Sequence, residues 1–223
     1  MSGVSRESVC VLVSGGVESA ALLAGALGRS RRVHPVYVRG GLRWETAELH
    51  WLRRYLKALS AAAPGRRLAP LKILRLDLAG IYGRHWSTSG EVPGARSADR
   101  AVYLPGRNVA LFSAAACHAA VVGASAVEIG VLKGNPFADS SPDFLRKMSA
   151  ALSEGLGRRI RLRAPFAALK KSDVIRRGAR VGGRAMPLEL TFSCIRPRGL
   201  RPCGACNKCA ERRKAFLAAG RTP

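Results

Sequence analysis

Long hydrophobic runs are missing. The apolar run at 9–13 is far too short to span a bilayer, and residues 1–8 lack the apolar region and small-residue cleavage site of a signal peptide. The expectation is a cytoplasmic chain with no membrane partner. Aromatic residues make up only 6% of the chain and do not interleave with the arginines, so a platform for stacking single-stranded bases is lacking. Acidic residues are scarce as well, 14 against 38 Lys and Arg, for a formal charge of +24. Such a charge favours polyanions such as tRNA or DNA through counterion release. The cations, however, run through every segment, and Arg outnumbers Lys 30 to 8, as a compositional bias would also produce. Nucleic acid is therefore a possible partner but not the favoured one. The four histidines, at 34, 50, 85 and 118, show no ligand spacing and read as structural or exposed. No nucleophile, base and orienting group can be assembled into a set. Internal repeats and low-complexity linkers are absent.

What is present suits one α/β domain with a small appendage, since 223 residues can bury a substantial core. The run at 9–13 reads as a buried strand and residues from Glu18 onward as a helix, which makes Ser14, Gly15 and Gly16 the turn between them. A helix N-terminus carries unpaired N–H groups and partial positive charge, and two glycines let a ligand approach the backbone closely. Ser14 and Ser19 add hydroxyls. The turn is suited to an anion, the alternative being a tight turn with no ligand. It has neither the lysine of G-x-x-x-x-G-K-[ST] nor the spacing of G-x-G-x-x-G.

Further strands are expected at 32–38, 71–76, 126–132 and 161–166, and helices at 44–59, 109–122 and 142–156 and from about 169. In the first of these helices, Trp44, Leu49, Leu52 and Leu56 are placed on one face. This alternation predicts a Rossmann-like parallel sheet with flanking helices and the ligand loops at the strands' C-terminal edge. Ahead of the Ala-rich helix, Pro105 and Gly106 fix a turn that presents Arg107 and Asn108 at the helix N-terminus. They are donors for an anion or a base edge, or else an ordinary helix start. Lys171 starts the helix near 170, within reach of a phosphate or simply at the surface.

Four of the six cysteines crowd into sixteen residues as C-x8-C-G-x-C-x-x-C, namely Cys194, Cys203, Cys206 and Cys209. Four thiolates form a closed tetrahedral site that suits structural Zn²⁺, with an iron–sulfur cluster or free thiols as alternatives. Nearby Arg and Lys favour the thiolate form. Cys10 and Cys117 read as buried small apolar residues.

Ser14, Gly15, Gly16, Val17, Glu18 and Ser19 resemble the S-G-G-x-D-S signature of the PP-loop ATP-pyrophosphatases, with Glu in place of Asp. Tyr103 to Asn108 and the C-terminal cysteines, followed by Arg212, Ala215 and Phe216, are similar in order and spacing to the 7-cyano-7-deazaguanine synthase family within that superfamily. The resemblance covers nearly the whole chain. It implies an adenine nucleotide alpha hydrolase-like domain over 1–186 and a zinc-binding segment over 187–223. It also implies a ligase that uses ATP and Mg²⁺ to convert 7-carboxy-7-deazaguanine and ammonia into a nitrile through adenylated intermediates, and that works as a homodimer. Ser14 to Ser19 together with Arg107 and Asn108 would then bind ATP. Asp139 and Asp143 would meet the deazaguanine, with the N-cap of the following helix the alternative role for Asp143, and Lys171 and Asp139 are candidates for catalysis. The 133–144 loop departs from the family's Y-P-D-C-R element, keeping only Asp139 and the Pro142, Asp143, Phe144 helix start. A diverged adenylating enzyme acting on tRNA, DNA or protein, and a non-catalytic nucleotide-binding module, are the other readings.

Overall fold

In the computed structural model, which describes residues 5–222 apart from 64, 66 and 179, the run at 9–13 lies at the centre of a parallel sheet. Its strands are β1 (Ser5–Leu12), β2 (Ser30–Arg39), β3 (Lys72–Arg75), β4 (Ala126–Glu128) and β5 (Arg161–Arg163), in the order β3-β2-β1-β4-β5. Neighbours pair in parallel throughout. Such pairs need crossover connections, which contain α1 (Val17–Arg29), α2 (Glu45–Ala62), α3 (Leu78–Tyr82), α4 (Arg107–Val121) and α5 (Pro142–Gly155), while α6 (Lys171–Arg177) and α7 (Asn207–Ala218) come after β5. A two-strand hairpin, β6 (Arg180–Val181) with β7 (Arg184–Ala185), follows α6.

Period-two alternation along β1 separates two cores. Val9, Val11 and Val13 face one layer with Leu22, Leu23 and Leu27 of α1, Leu52 of α2, Val174 and Ile175 of α6 and Phe216 of α7. Cys10 and Leu12 face the other, with Phe112 and Ala115 of α4 and Leu145 of α5. A third cluster joins Leu42, Trp44 and Leu104 to Phe192, Ile195 and three of the C-terminal cysteines. The segment from 187 onward shares cores with the sheet domain, since Leu188 and Phe216 lie in the first cluster and Phe192 in the third.

The helix and strand types match expectation, but several placements differ, among them the strand expected over 161–166, which ends at Arg163. Trp44 precedes α2 and packs in the third cluster, stacked on Trp86 at 5.5 Å, whereas Leu49, Leu52 and Leu56 belong to the first. The strand expected over 126–132 stops at Glu128 because Gly130 passes against α1, where an added Cβ would stand 2.8 Å from that of Glu18. Cys117 is exposed on α4; Cys10 is buried as expected, and its burial pushes the thiol up to about 12.

Phe216 is buried under the guanidinium of Arg212, which stands 4.4 Å above the ring centroid. Phe216→Ala is expected to destabilise the protein by about 3–5 kcal/mol, measured by urea denaturation. A loss under about 1 kcal/mol would show that α7 is not held by this core.

Candidate functional site

The strand order reverses direction between β1 and β4, and the loop after β1 sits at this switch point, where ligands bind in open α/β sheets. Gly15 has φ +75°, and an added Cβ would lie 3.0 Å from the Glu48 carbonyl oxygen, so the turn demands glycine for its conformation and for space. The Gly16 amide donates to Ser14 Oγ at 3.3 Å, the Ser14 amide to Ser19 Oγ at 3.2 Å, and Ser19 Oγ–H to the Gly16 carbonyl at 3.0 Å. No side chain among the described residues caps α1, so its first-turn amides lie beside the cleft without a capping partner there.

That cleft has a volume of about 480 Å³, within the range of small-molecule sites. Ser14, Gly16, Glu18, Ser19, Arg107, Asn108, Asp139 and Lys171 all line it. Gly15 and Val17 do not; Val17 is buried in the core, leaving only its main chain for a ligand. Asp143 is a correction. It sits in the exposed first turn of α5, paired with Arg146 at 2.6 Å and Lys147 at 2.8 Å, while Ser141 caps that helix by accepting from the Phe144 amide at 3.2 Å. Asp143 therefore neither caps the helix nor lines the cleft.

Lys171 is not a free surface lysine. Its ammonium lies 2.8 Å from Glu18 and 2.5 Å from Glu211. Burial alone would lower its pKa, but these two carboxylates outweigh burial and hold it above the ordinary lysine range. Burial likewise pushes Glu211 up, and Lys171 and Lys208 overcome it to hold the acid at about 2. Asp139 accepts from the Asn108 amide at 3.1 Å and from Asn108 Nδ2 at 3.2 Å, which fixes the start of α4. Arg107 Nε is buried without a hydrogen-bond partner among the described residues.

Several lining residues lie outside the sequence motifs. Trp44 and Trp86 form one aromatic wall, and Tyr103 with Phe137, 5.2 Å apart, another. Glu45 and Glu48 sit on the buried face of α2 at positions otherwise taken by Leu and Tyr, a signal visible in the sequence as two carboxylates on an apolar stripe. Glu45 accepts from the Gly40 and Gly41 amides at 2.5 and 3.1 Å. Glu48 accepts from the Tyr37 hydroxyl at 2.7 Å, and burial pushes its carboxyl up to about 8.

Beside the cleft, the sulfurs of Cys194, Cys203, Cys206 and Cys209 all lie within 4.8 Å of one another. A tetrahedral centre with bonds of about 2.3 Å has edges of about 3.8 Å, close to the 3.9 Å between Cys194 and Cys206 and the 4.0 Å between Cys203 and Cys209. The amides of Arg196 and Cys203 donate to Cys194 Sγ at 3.3 Å, and that of Ala205 to Cys203 Sγ at 3.4 Å, an outer shell that stabilises thiolates. The four cysteines can hold a metal ion.

The family described as queuosine biosynthesis protein QueC matches residues 8–220. A 7-cyano-7-deazaguanine synthase of Anaeromyxobacter dehalogenans (strain 2CP-C) is 34% identical over 224 residues, covering 94% of this chain and 91% of its own. One from Xanthomonas campestris pv. campestris (strain B100) is 35% identical over 221 residues, covering 94% and 93%. Among solved structures, a 4-thiouridine synthetase–RNA complex with bound ATP aligns with 96% of this chain and 50% of its own at a TM-score of 0.52 and 17% identity, a likeness of fold.

Cys203→Ser is expected to lower bound metal well below one ion per chain and to loosen the segment around 194–209, measured by elemental analysis and limited proteolysis. Full metal content in a folded variant would remove Cys203 from the ligand set. Glu48 provides a test by pH. Its folded pKa of about 8 exceeds the ordinary 4.5, so between these values the folded state binds more protons than the unfolded one. Its contribution to stability is fully present below about pH 4.5, declines as pH rises and is gone above about pH 8. In Glu48→Gln this decline should disappear from urea midpoints measured from pH 5 to 8; an unchanged slope would contradict the assignment.

Proposed function

The chain belongs to the QueC family of queuosine biosynthesis proteins, and from that membership we propose that it is an ATP-dependent C–N ligase converting 7-carboxy-7-deazaguanine and ammonia into 7-cyano-7-deazaguanine. The observation that supports this most is the uncapped N-terminus of α1, set in the cleft at the switch point between the Ser14–Ser19 hydroxyl pair and Lys171.

In this reading residues 1–186 form the ATP-binding domain. The main chain of Ser14, Gly15, Gly16, Val17, Glu18 and Ser19 receives the β- and γ-phosphates, because the first-turn amides of α1 have no capping side chain among the described residues and two glycines remove the Cβ atoms that would hold a phosphate away. Lys171 adds positive charge there. Glu18, one methylene longer than the Asp of the superfamily motif, reaches Lys171 and orients it. Arg107, with its Nε unpartnered, and Asn108 support the nucleotide or the substrate carboxylate. Asp139 is already engaged by Asn108, so it acts on the deazaguanine from a fixed position. The aromatic walls suit flat ring systems.

Mg²⁺ accompanying ATP would neutralise charge on the departing pyrophosphate. Adenylation turns a poor leaving oxygen into part of a mixed anhydride from which AMP departs readily, so positioning and charge stabilisation are the protein's main tasks. Zn²⁺ is the ion assigned to Cys194, Cys203, Cys206 and Cys209 in the 187–223 segment. With four thiolates its site is closed, and its role is structural.

Mass spectrometry of products from the purified protein with ATP, Mg²⁺, ammonium and 7-carboxy-7-deazaguanine is expected to show the nitrile together with AMP and pyrophosphate. Amide as the final product, or no consumption of the carboxylate, would reject this endpoint and favour a ligase with another acceptor.

A further inference from the structure

Among the carboxyl groups that line the cleft, Glu48 is one to which the phosphate and ring subsites give no task. Glu48 projects from the first turns of α2 beside the 14–16 turn; a Cβ added to Gly15 would come within 3.4 Å of Glu48 Cγ. Its Oε2 accepts the Tyr37 hydroxyl at 2.7 Å, while its Oε1 has no hydrogen-bond partner among the described residues. The groups that face it are Tyr37 from β2, Glu45 from its own helix and Arg107 from α4, besides the main chain of the 14–16 turn. Glu45 is occupied by the amides of Gly40 and Gly41, so Glu48 has the freer carboxylate of the two. In a chain of charge +24, an incoming ammonium ion is repelled from most of the surface. Glu45, and Glu48 in its ionised form, give it a local attraction, with the Trp44 ring lining the same space.

Resting on the ligase reading above, we propose that Glu48, held by Tyr37, is the proton acceptor for nitrogen, taking N–H protons in both amide and nitrile formation. Ammonia is mostly ammonium at neutral pH and has no lone pair for attack. Ammonium gives one proton to the Glu48 carboxylate. The freed electron pair forms the C–N bond as the acyl C–O bond to AMP breaks, and the second proton leaves on the AMP phosphate or to water. When the amide oxygen attacks the α-phosphate of ATP in turn and pyrophosphate leaves, the first amide N–H proton goes to cleft water and the last passes to Glu48. The electrons of that N–H bond become the third C–N bond, and the C–O bond to AMP breaks. Glu48 returns its proton to cleft water between the two steps. Its carboxyl, pushed by burial to about 8, lies near the operating pH where a general base is most effective.

The test separates the half-reactions in Glu48→Gln and Tyr37→Phe. Carboxylate-dependent exchange of labelled pyrophosphate into ATP reports adenylation without ammonia and should persist in Glu48→Gln. Amide formation from ammonium should fall by roughly 10²-fold or more. Hydroxylamine, uncharged at neutral pH, needs no proton removed before it attacks, so hydroxamate formation should be largely retained. Tyr37→Phe, which removes a hydrogen bond to the ionised carboxylate, should move the acidic limb of the amide-forming rate to higher pH. Equal losses with ammonium and hydroxylamine, loss of exchange that extra Mg²⁺ restores, or an unimpaired ammonium rate would each overturn the assignment. Absence of exchange in the unsubstituted protein would reject the ligase reading instead.

Discussion

The site depends on how closely the main chain packs around the turn after β1. Gly15 takes a left-handed conformation with the Glu48 carbonyl at the limit of contact, and the Phe192 amide donates to the Gly15 carbonyl at 2.8 Å. On the other side, Gly130 presses against the Cβ of Glu18. Residues far apart in sequence thus fix one turn from three directions. Close-packed interiors transmit small displacements instead of absorbing them, so the first-turn amides of α1 are placed by α2, by the chain after β4 and by the segment that leads to the cysteines.

The scarcity of acidic residues acquires a structural meaning from where they lie. Glu45, Glu48 and Glu128 are buried, and Glu18 and Glu211 share Lys171 at the cleft. Glu7 gathers Arg161 and Arg163, and Glu128 gathers Arg29 and Arg163. Burial pushes the Glu128 carboxyl up even with these arginines beside it. An ion pair placed inside contributes position more than net stability, because desolvation offsets the attraction. Several glutamates therefore hold geometry in the interior.

Much of this arrangement is legible in the sequence, for identifiable reasons. The strand–Ser-Gly-Gly–helix pattern, the Pro105–Gly106 turn and the cysteine spacing are local, so the loop, the start of α4 and the sulfur cluster all follow from short segments. Residues whose role arises across the fold are harder to read. Trp86 and Glu211 carry no local mark, because their partners Trp44 and Lys171 come from other elements. Asp143 shows the converse difficulty: a Ser-Pro-Asp helix start offers two capping candidates, and the hydroxyl of Ser141 takes the bond. Glu48 could have been found, since a carboxylate at an apolar position of an amphipathic helix is itself a signal.

The placement of the three tryptophans provides the molecule with its own optical reporters. Trp44 and Trp86 stack in the cleft wall, whereas Trp51 lies outside it and donates from Nε1 to the Leu200 carbonyl at 2.8 Å, on the turn between the first and second cysteines. Indole emission responds to stacking, polarity and nearby charge, so one chromophore pair is positioned to sense what enters the cleft and the third to sense the turn between Cys194 and Cys203. With Trp51 replaced by Phe, intrinsic fluorescence would follow the cleft alone, and occupancy of the two regions could be tracked separately without an added label.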